Sequence, residues 1–253
     1  LIAKWQAFGF CHGVMNTDNM SILGITFDYG PYGFLDDYDP KHICNHSDYS
    51  GRYAFEQQPG IALWNLNAFG YALSMLLTKS EITELLKQFE PILLSNYSEL
   101  MRQKLGFASK RTDDRLLLAE LMELMAADKR DYTYTFRLLS HFESIEKSGE
   151  AFVDHFINRR AAKHWLNGYQ KRLHLESQSP AERQVAMKKA NPKYILRNYL
   201  AQQAIEGAEK GDNSELDRLL QVLKRPYAEQ PEFERYAKLP PDWAKTISIS
   251  CSS

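Results

Sequence analysis

From Ile61 to Lys224 apolar residues recur at three- and four-residue spacing, and that period confines most of the chain to α-helix. Ile61, Trp64, Leu66, Ala68, Tyr71, Ala72 and Met75 predict a first helix with a buried apolar face. Thr78-Lys-Ser-Glu81 has the spacing of a capping box, in which a hydroxyl and a carboxylate three residues apart satisfy each other's free backbone N–H groups. Pro91 is expected to break the helix that follows, which then resumes to about Leu105. Asp113 to Ala127, Phe136 to Phe142 and Ala151 to Tyr169 continue the helical character. Ser179-Pro-Ala-Glu182 is a second capping box with proline at the first helical position, and Asn191-Pro192 repeats that start signal ahead of Tyr194, Tyr199 and Leu200. A last helix is expected from Ser214 to Lys224, followed by a proline-containing tail that ends Ile-Ser-Cys251-Ser-Ser.

The first sixty residues lack this period. Leu1 to Phe10 reads as a buried helix end stopped near Gly9. Met20 to Leu23 and Ile25 to Asp28, either side of Gly24, have the pattern of a tight β-hairpin. Residues 29–60 are rich in Gly, Pro, Asp, Asn and Tyr, and a loop of that length inside a compact domain is usually functional.

Composition narrows the function classes. Hydrophobic residues make up 44% and charged residues 25% of the 253, ordinary values for a globular protein, and no apolar stretch reaches the ~20 residues of a membrane span. A net charge of −1 supplies no field to draw the chain to nucleic acid or an anionic membrane. Three cysteines, Cys11, Cys44 and Cys251, are too few for a disulfide framework and fit a reducing compartment. The chain opens at Leu1 inside an apolar segment with no initiator methionine, so residues are expected upstream of it.

Chemistry concentrates between His12 and Gly30. A kinase holds the magnesium that bridges ATP phosphates with two oxygen ligands, an Asn closing the catalytic loop and an Asp opening an Asp-Phe-Gly-type turn. Here His12-Gly13 opens a loop that reaches Asn19 at the His-Gly-Asp-x-x-x-x-Asn spacing, and Asp28-Tyr29-Gly30 follows. Magnesium takes hard oxygen ligands and keeps several waters, so two side chains and phosphate oxygens suffice. The third loop position, where a phosphotransferase carries its catalytic Asp, is Val14, which accepts no proton. The nearest carboxylate is Asp18. Either the site is dead as a kinase, with Asp18 a turn or N-cap residue, or its chemistry is rearranged around Asp18. His42, Cys44 and His46 have metal-like spacing but sit in a loop with no further nearby cysteine, and loop residues are the preferred reading.

The run His12-Gly-Val-Met-Asn-Thr-Asp-Asn-Met-Ser-Ile-Leu-Gly24, with Asp28-Tyr-Gly-Pro-Tyr-Gly-Phe-Leu-Asp36, resembles the selenoprotein O family of pseudokinases. So do Cys44-Asn-His-Ser-Asp48, Gly51-Arg-Tyr53, Trp64-Asn-Leu66, Asn191-Pro-Lys-Tyr-Ile-Leu-Arg-Asn-Tyr-Leu200 and the Cys-Ser-Ser end. The resemblance implies a mainly α kinase-like C-lobe with a short hairpin and a helical extension, without its N-lobe. It implies a protein adenylyltransferase that moves AMP from ATP to Ser, Thr or Tyr hydroxyls of proteins, with magnesium, or manganese in its place. Carried over, Asp18 is the general base, Asn19 and Asp28 hold the metal, and Asp28 approaches the nucleotide phosphates.

The division expected is a kinase-like portion over residues 1–105, a family-specific helical extension over 106–224 and a tail over 225–253. Relatives of this kind act in the bacterial cytoplasm or in mitochondria. The family's tail carries a redox-active Cys at the place of Cys251, so a Cys44–Cys251 disulfide is one expectation and two free thiols the other. The Gly-rich loop, phosphate-binding Lys and partner Glu of an N-lobe are not recognisable, and this stretch alone is expected to be inactive. A conventional phosphotransferase and a non-catalytic interaction module are the alternatives.

Overall fold

The computed structural model describes residues 1–250 and is mainly helical. In order, the chain forms α1 (Ile2–Phe8), β1 (Phe10–Cys11), β2 (Gly33–Phe34), α2 (Gln58–Ala72), α3 (Lys79–Leu86), α4 (Phe89–Lys104) and α5 (Asp114–Asp128). There follow α6 (Tyr132–Leu139), α7 (Ile145–His155), α8 (Arg159–Leu173), α9 (Pro180–Ala190), α10 (Asn198–Glu209) and α11 (Ser214–Leu223). Among the described residues the only sheet is β1 beside β2. None of these helices is long and apolar enough to cross a membrane.

Local signals set most helix ends. Gly9 closes α1 in the left-handed conformation, at φ 69°. Both capping boxes form: Thr78 opens α3 with Glu81, and Ser179 opens α9 with Glu182. Pro91 does not break a helix. It lies in the first turn of α4, where its missing N–H costs nothing, and the break falls at Lys87–Gln88. The stretch from Ala151 to Tyr169 is two helices, because Asn158 accepts from the Ala161 N–H and starts α8 afresh.

The chain divides into two compact units. The first comprises residues 1–33, 40–99 and the C-terminal residues from Ser248. It contains α2, whose expected buried face is not the one buried. Trp64, Leu66, Tyr71 and Met75 are exposed, while Gln58, Ala62, Asn65 and Gly70 face inward. The helix is apolar around most of its circumference, so its period does not mark the side on which polar hydrogen-bonding residues are needed. At Gly70 a Cβ would stand 2.6 Å from a methyl of Ile82, which explains the close seat of α3 on α2.

The second unit comprises residues 34–39 and 100–247. Its centre is aromatic: Tyr132, Phe136, Phe142, Phe152 and Tyr169 are fully buried, and Trp165 stacks on Tyr169 with centroids 5.1 Å apart. A further cluster joins Tyr194, Tyr199, Leu200, Leu219, Val222 and Tyr236. Buried Arg197 pairs with Asp131 at 2.7 Å and with Asp36. Asn191 opens no helix. It ends α9, and its buried amide donates to the Lys104 carbonyl at 2.8 Å and to Ser140 Oγ at 3.1 Å, while α10 begins only at Asn198.

Candidate active site

The loop after β1 is held residue by residue. The His12 N–H donates to Gln58 Oε1 at 2.9 Å, and Gln58 Nε2 donates to the Phe10 carbonyl at 2.9 Å. Gly13 has φ +86°, and a Cβ there would lie 2.5 Å from the Pro31 carbonyl oxygen and 2.8 Å from Cys44 Sγ. Only glycine fits. The Met15 carbonyl accepts from Asn65 Nδ2 at 2.9 Å, and the Tyr53 hydroxyl donates to Asn16 Oδ1 at 2.5 Å.

These clamps lead into a single 3₁₀ turn, Thr17–Asn19, closed by the Asn19 N–H on the Asn16 carbonyl at 3.0 Å. Asp18 and Asn19 are therefore adjacent on one short turn. The Asn19 amide nitrogen donates to the Val14 carbonyl at 3.1 Å, which commits the donor end of the side chain and leaves Oδ1 for a ligand. The Asp18 carboxylate is exposed and accepts no hydrogen bond from the described residues.

Asp28 comes from a segment that forms no hairpin. Residues 20–28 contain no strand. Gly24 turns the chain at φ +67°, its N–H on the Ser21 carbonyl at 3.1 Å. The segment is then tied inward by two side chains: Trp5 Nε1 donates to Thr26 Oγ1 and His12 Nε2 to the Phe27 carbonyl, both at 2.9 Å. Ile22, Leu23 and Ile25 remain exposed, so the apolar run has no face to bury and no reason to pair as strands. Asp28 itself takes the left-handed conformation, at φ 56°, and the Gly30 N–H returns to its carbonyl at 2.9 Å. His12 couples the two segments, through the Phe27 carbonyl on one side and its own backbone on the other.

The residues that build this frame, Gln58, Asn65 and Tyr53, carry no chemical signature in the sequence. For Tyr53 and Asn65 the signal lay in Gly51-Arg-Tyr53 and Trp64-Asn-Leu66, family-like motifs without an evident role; Gln58 lies in neither. Asp48 organises the same region, one carboxylate oxygen accepting the Arg52 N–H at 2.9 Å and the other the Tyr53 N–H at 2.7 Å.

Cys44 is buried, and its Sγ donates to the Cys11 carbonyl at 3.3 Å. Contact between the two thiols lowers the pKa of Cys11, whereas the same contact followed by burial raises that of Cys44. Cys11 has no exposed surface, and its neighbour is a second thiol. Cys251 lies outside the described residues. Two positions before it, Ile249 pairs with His46: the His46 N–H donates to the Ile249 carbonyl at 2.9 Å and the Ile249 N–H to His46 Nδ1 at 3.2 Å.

No group of three or more His, Cys, Asp or Glu side chains able to hold a metal ion occurs among the described residues. Asn19 Oδ1 and the Asp28 carboxylate are nevertheless hard oxygen donors free of protein hydrogen bonds, the chemistry that a magnesium ion already carrying phosphate and water requires.

A buried loop that ends in the Asp18-Asn19 turn is thus joined through His12 to a left-handed Asp28-Tyr-Gly turn. A family profile described as protein adenylyltransferase SelO matches residues 1–224, and the chain belongs to that family. It is similar to proteins named protein nucleotidyltransferase YdiU. That of Vibrio parahaemolyticus is 55% identical over 259 residues, covering 100% of this chain and 53% of that protein. The Yersinia pseudotuberculosis serotype O:1b protein is 55% identical over 253 residues, covering 100% of this chain and 52% of its own length. The chain thus spans about half the length of the curated relatives it matches.

Proposed function

We propose that the whole protein is an adenylyltransferase that moves AMP from ATP to Ser, Thr or Tyr hydroxyls of other proteins, on a kinase-like C-lobe. The observation that carries the reading is the exposed turn on which Asp18 directly precedes Asn19, with Val14 where a phosphotransferase needs its base. Asp18 takes the proton of the attacking hydroxyl, whose oxygen bonds to the α-phosphorus as pyrophosphate leaves. Asn19 and Asp28 hold the metal ion, magnesium or manganese. Bound there, the ion supplies positive charge to the phosphate oxygens. Val14 supports adenylyl over phosphoryl transfer, because it leaves the usual catalytic position without a proton acceptor.

The test is label transfer to protein by the full-length adenylyltransferase carrying this sequence, with ATP labelled on the α- or the γ-phosphate. Label from α alone, lost in Asp18→Ala and Asp28→Ala, supports the reading. Label from γ alone makes the protein a conventional kinase, and label from neither a non-catalytic interaction module. The present stretch by itself binds nucleotide far more weakly than the full-length protein and transfers nothing; equal affinity of the two would refute that.

A further inference from the structure

α2 is apolar around most of its circumference, the composition of a helix buried on every side, yet only one side of it is buried. Leu63, Trp64, Asn67 and Tyr71, at three- and four-residue steps, form one exposed stripe along the helix, Tyr71 with 79% of its surface open. Met75 and Leu76, just past the helix end, are 93% and 79% exposed. From Gln57 to Thr78 the sequence contains no Asp, Glu, Lys or Arg. Arg52, from outside this run, rests on the ring of Trp64 with its guanidinium carbon 5.1 Å from the centroid.

Exposed leucines elsewhere have charged company: Leu216 and Leu220 on α11 stand among Glu215, Asp217 and Arg218. The α2 stripe carries no charge of its own. Most of the large hydrophobic side chains exposed among the described residues lie in the first unit, although it is the smaller of the two. An apolar surface without charges is the composition of a permanent interface rather than of one that partners enter and leave. A helix lying on a membrane surface brings Lys or Arg on its polar face, and α2 has no charged residue on any face. The curated relatives have nearly as much length again outside the match.

We propose that the exposed stripe of α2, with Met75 and Leu76, is an internal interface of the full-length protein, covered by the half of its length that lies outside this stretch. The occupant is an apolar, uncharged face of that half, packed on Leu63, Trp64 and Tyr71 as one part of a core packs on another. α2 then has a task on each side. Gln58 and Asn65 hold the loop of His12 and Met15, and the opposite stripe joins that scaffold to the rest of the protein. The proposal stands apart from the transferase reading, because it needs neither nucleotide nor substrate.

The experiment is maleimide labelling of the full-length protein carrying Tyr71→Cys or, as the exposed control, Ile157→Cys, followed by peptide mass mapping. Ile157 is 73% exposed and belongs to the second unit. In the native protein the Tyr71→Cys site should react at least about tenfold more slowly than the Ile157→Cys site, because it must wait for local opening, and equally fast after denaturation. Tyr71→Asp should lower the thermal midpoint, since its carboxylate would be buried without a partner, while Tyr71→Phe should leave it nearly unchanged. Equal labelling rates at the two sites in the native protein, or equal midpoints of the Asp and Phe variants, overturn the proposal; should Tyr71→Asp fail to fold, the labelling comparison decides. Protection that disappears on dilution to the monomer, followed by light scattering, also overturns it, because the cover would then be a second copy.

Discussion

His12 Nε2 lies 2.9 Å from the carbonyl oxygen of Phe27, and this one hydrogen bond joins the loop that carries Asp18 and Asn19 to the segment that carries Asp28. The ring is buried beside Trp5, with centroids 5.4 Å apart, and its main-chain N–H is fixed by Gln58. His12 is therefore a positioning residue for Asp28.

Its replacement should separate positioning from metal ligation. In the full-length protein His12→Phe should raise the magnesium concentration needed for half-maximal transfer and lower kcat about tenfold, with His12→Gln recovering part of the loss. The lost bond should cost roughly 1–3 kcal/mol in stability, read by denaturant unfolding. An unchanged magnesium dependence in His12→Phe would show that Asp28 is positioned by other contacts.

Gly13→Ala should disrupt the site from within. The left-handed backbone alone costs about 1–3 kcal/mol for a residue with a Cβ. The added carbon would also strike the Pro31 carbonyl oxygen, which is backbone and cannot swing aside. A fall in thermal midpoint is expected together with loss of nucleotide-dependent activity. Gly24→Ala, at φ +67° with open space around it, should be milder on both counts.

Lys104 should make stability depend on pH. Its side chain is buried, with Nζ 4.4 Å from the Phe136 ring centroid, and burial lowers its pKa from 10.5 to about 7. Between those values the unfolded chain holds a proton that the folded chain has released, so stability rises with pH across about 7 to 10.5 and levels off beyond. The slope contributed is at most about 1.4 kcal/mol per pH unit. Lys104→Met should flatten this rise and stabilise the protein at pH 7, as measured by urea midpoints at a series of pH values.

Cys44 should be slow to react in the folded protein. Its thiol is buried, hydrogen-bonded to the Cys11 carbonyl and pushed to higher pKa, and the thiolate is the reactive form. Iodoacetamide should label Cys11 and Cys44 rapidly only after denaturation, as followed by intact mass. Rapid native labelling of Cys44 would show that the loop opens on the minutes scale.

Much of the helical architecture was legible in the sequence because the signals involved are local. Thr78 with Glu81, Ser179 with Glu182, and Gly9 at the end of α1 each act over a few residues, and each does in the structure what its spacing predicts. The spacing of His12, Asp18, Asn19 and Asp28 picked these residues out as candidates, and the structure puts Asp18 and Asn19 on one 3₁₀ turn and Asp28 at a left-handed position.

Tertiary structure decided what holds those residues. Gln58 reaches back 46 positions to His12, and Asn65 reaches back 50 to Met15; these bonds turn α2 so that its amides face inward and Trp64 faces solvent. The same long reach made Asn191 a helix end bonded to Lys104 and replaced the expected hairpin with a segment tied to Trp5 and His12. Capping and turn preferences are free-energy differences of the local backbone, so a short stretch of sequence contains them. Which polar groups a buried loop must satisfy depends on who is near it after collapse, and that is a property of the folded chain alone.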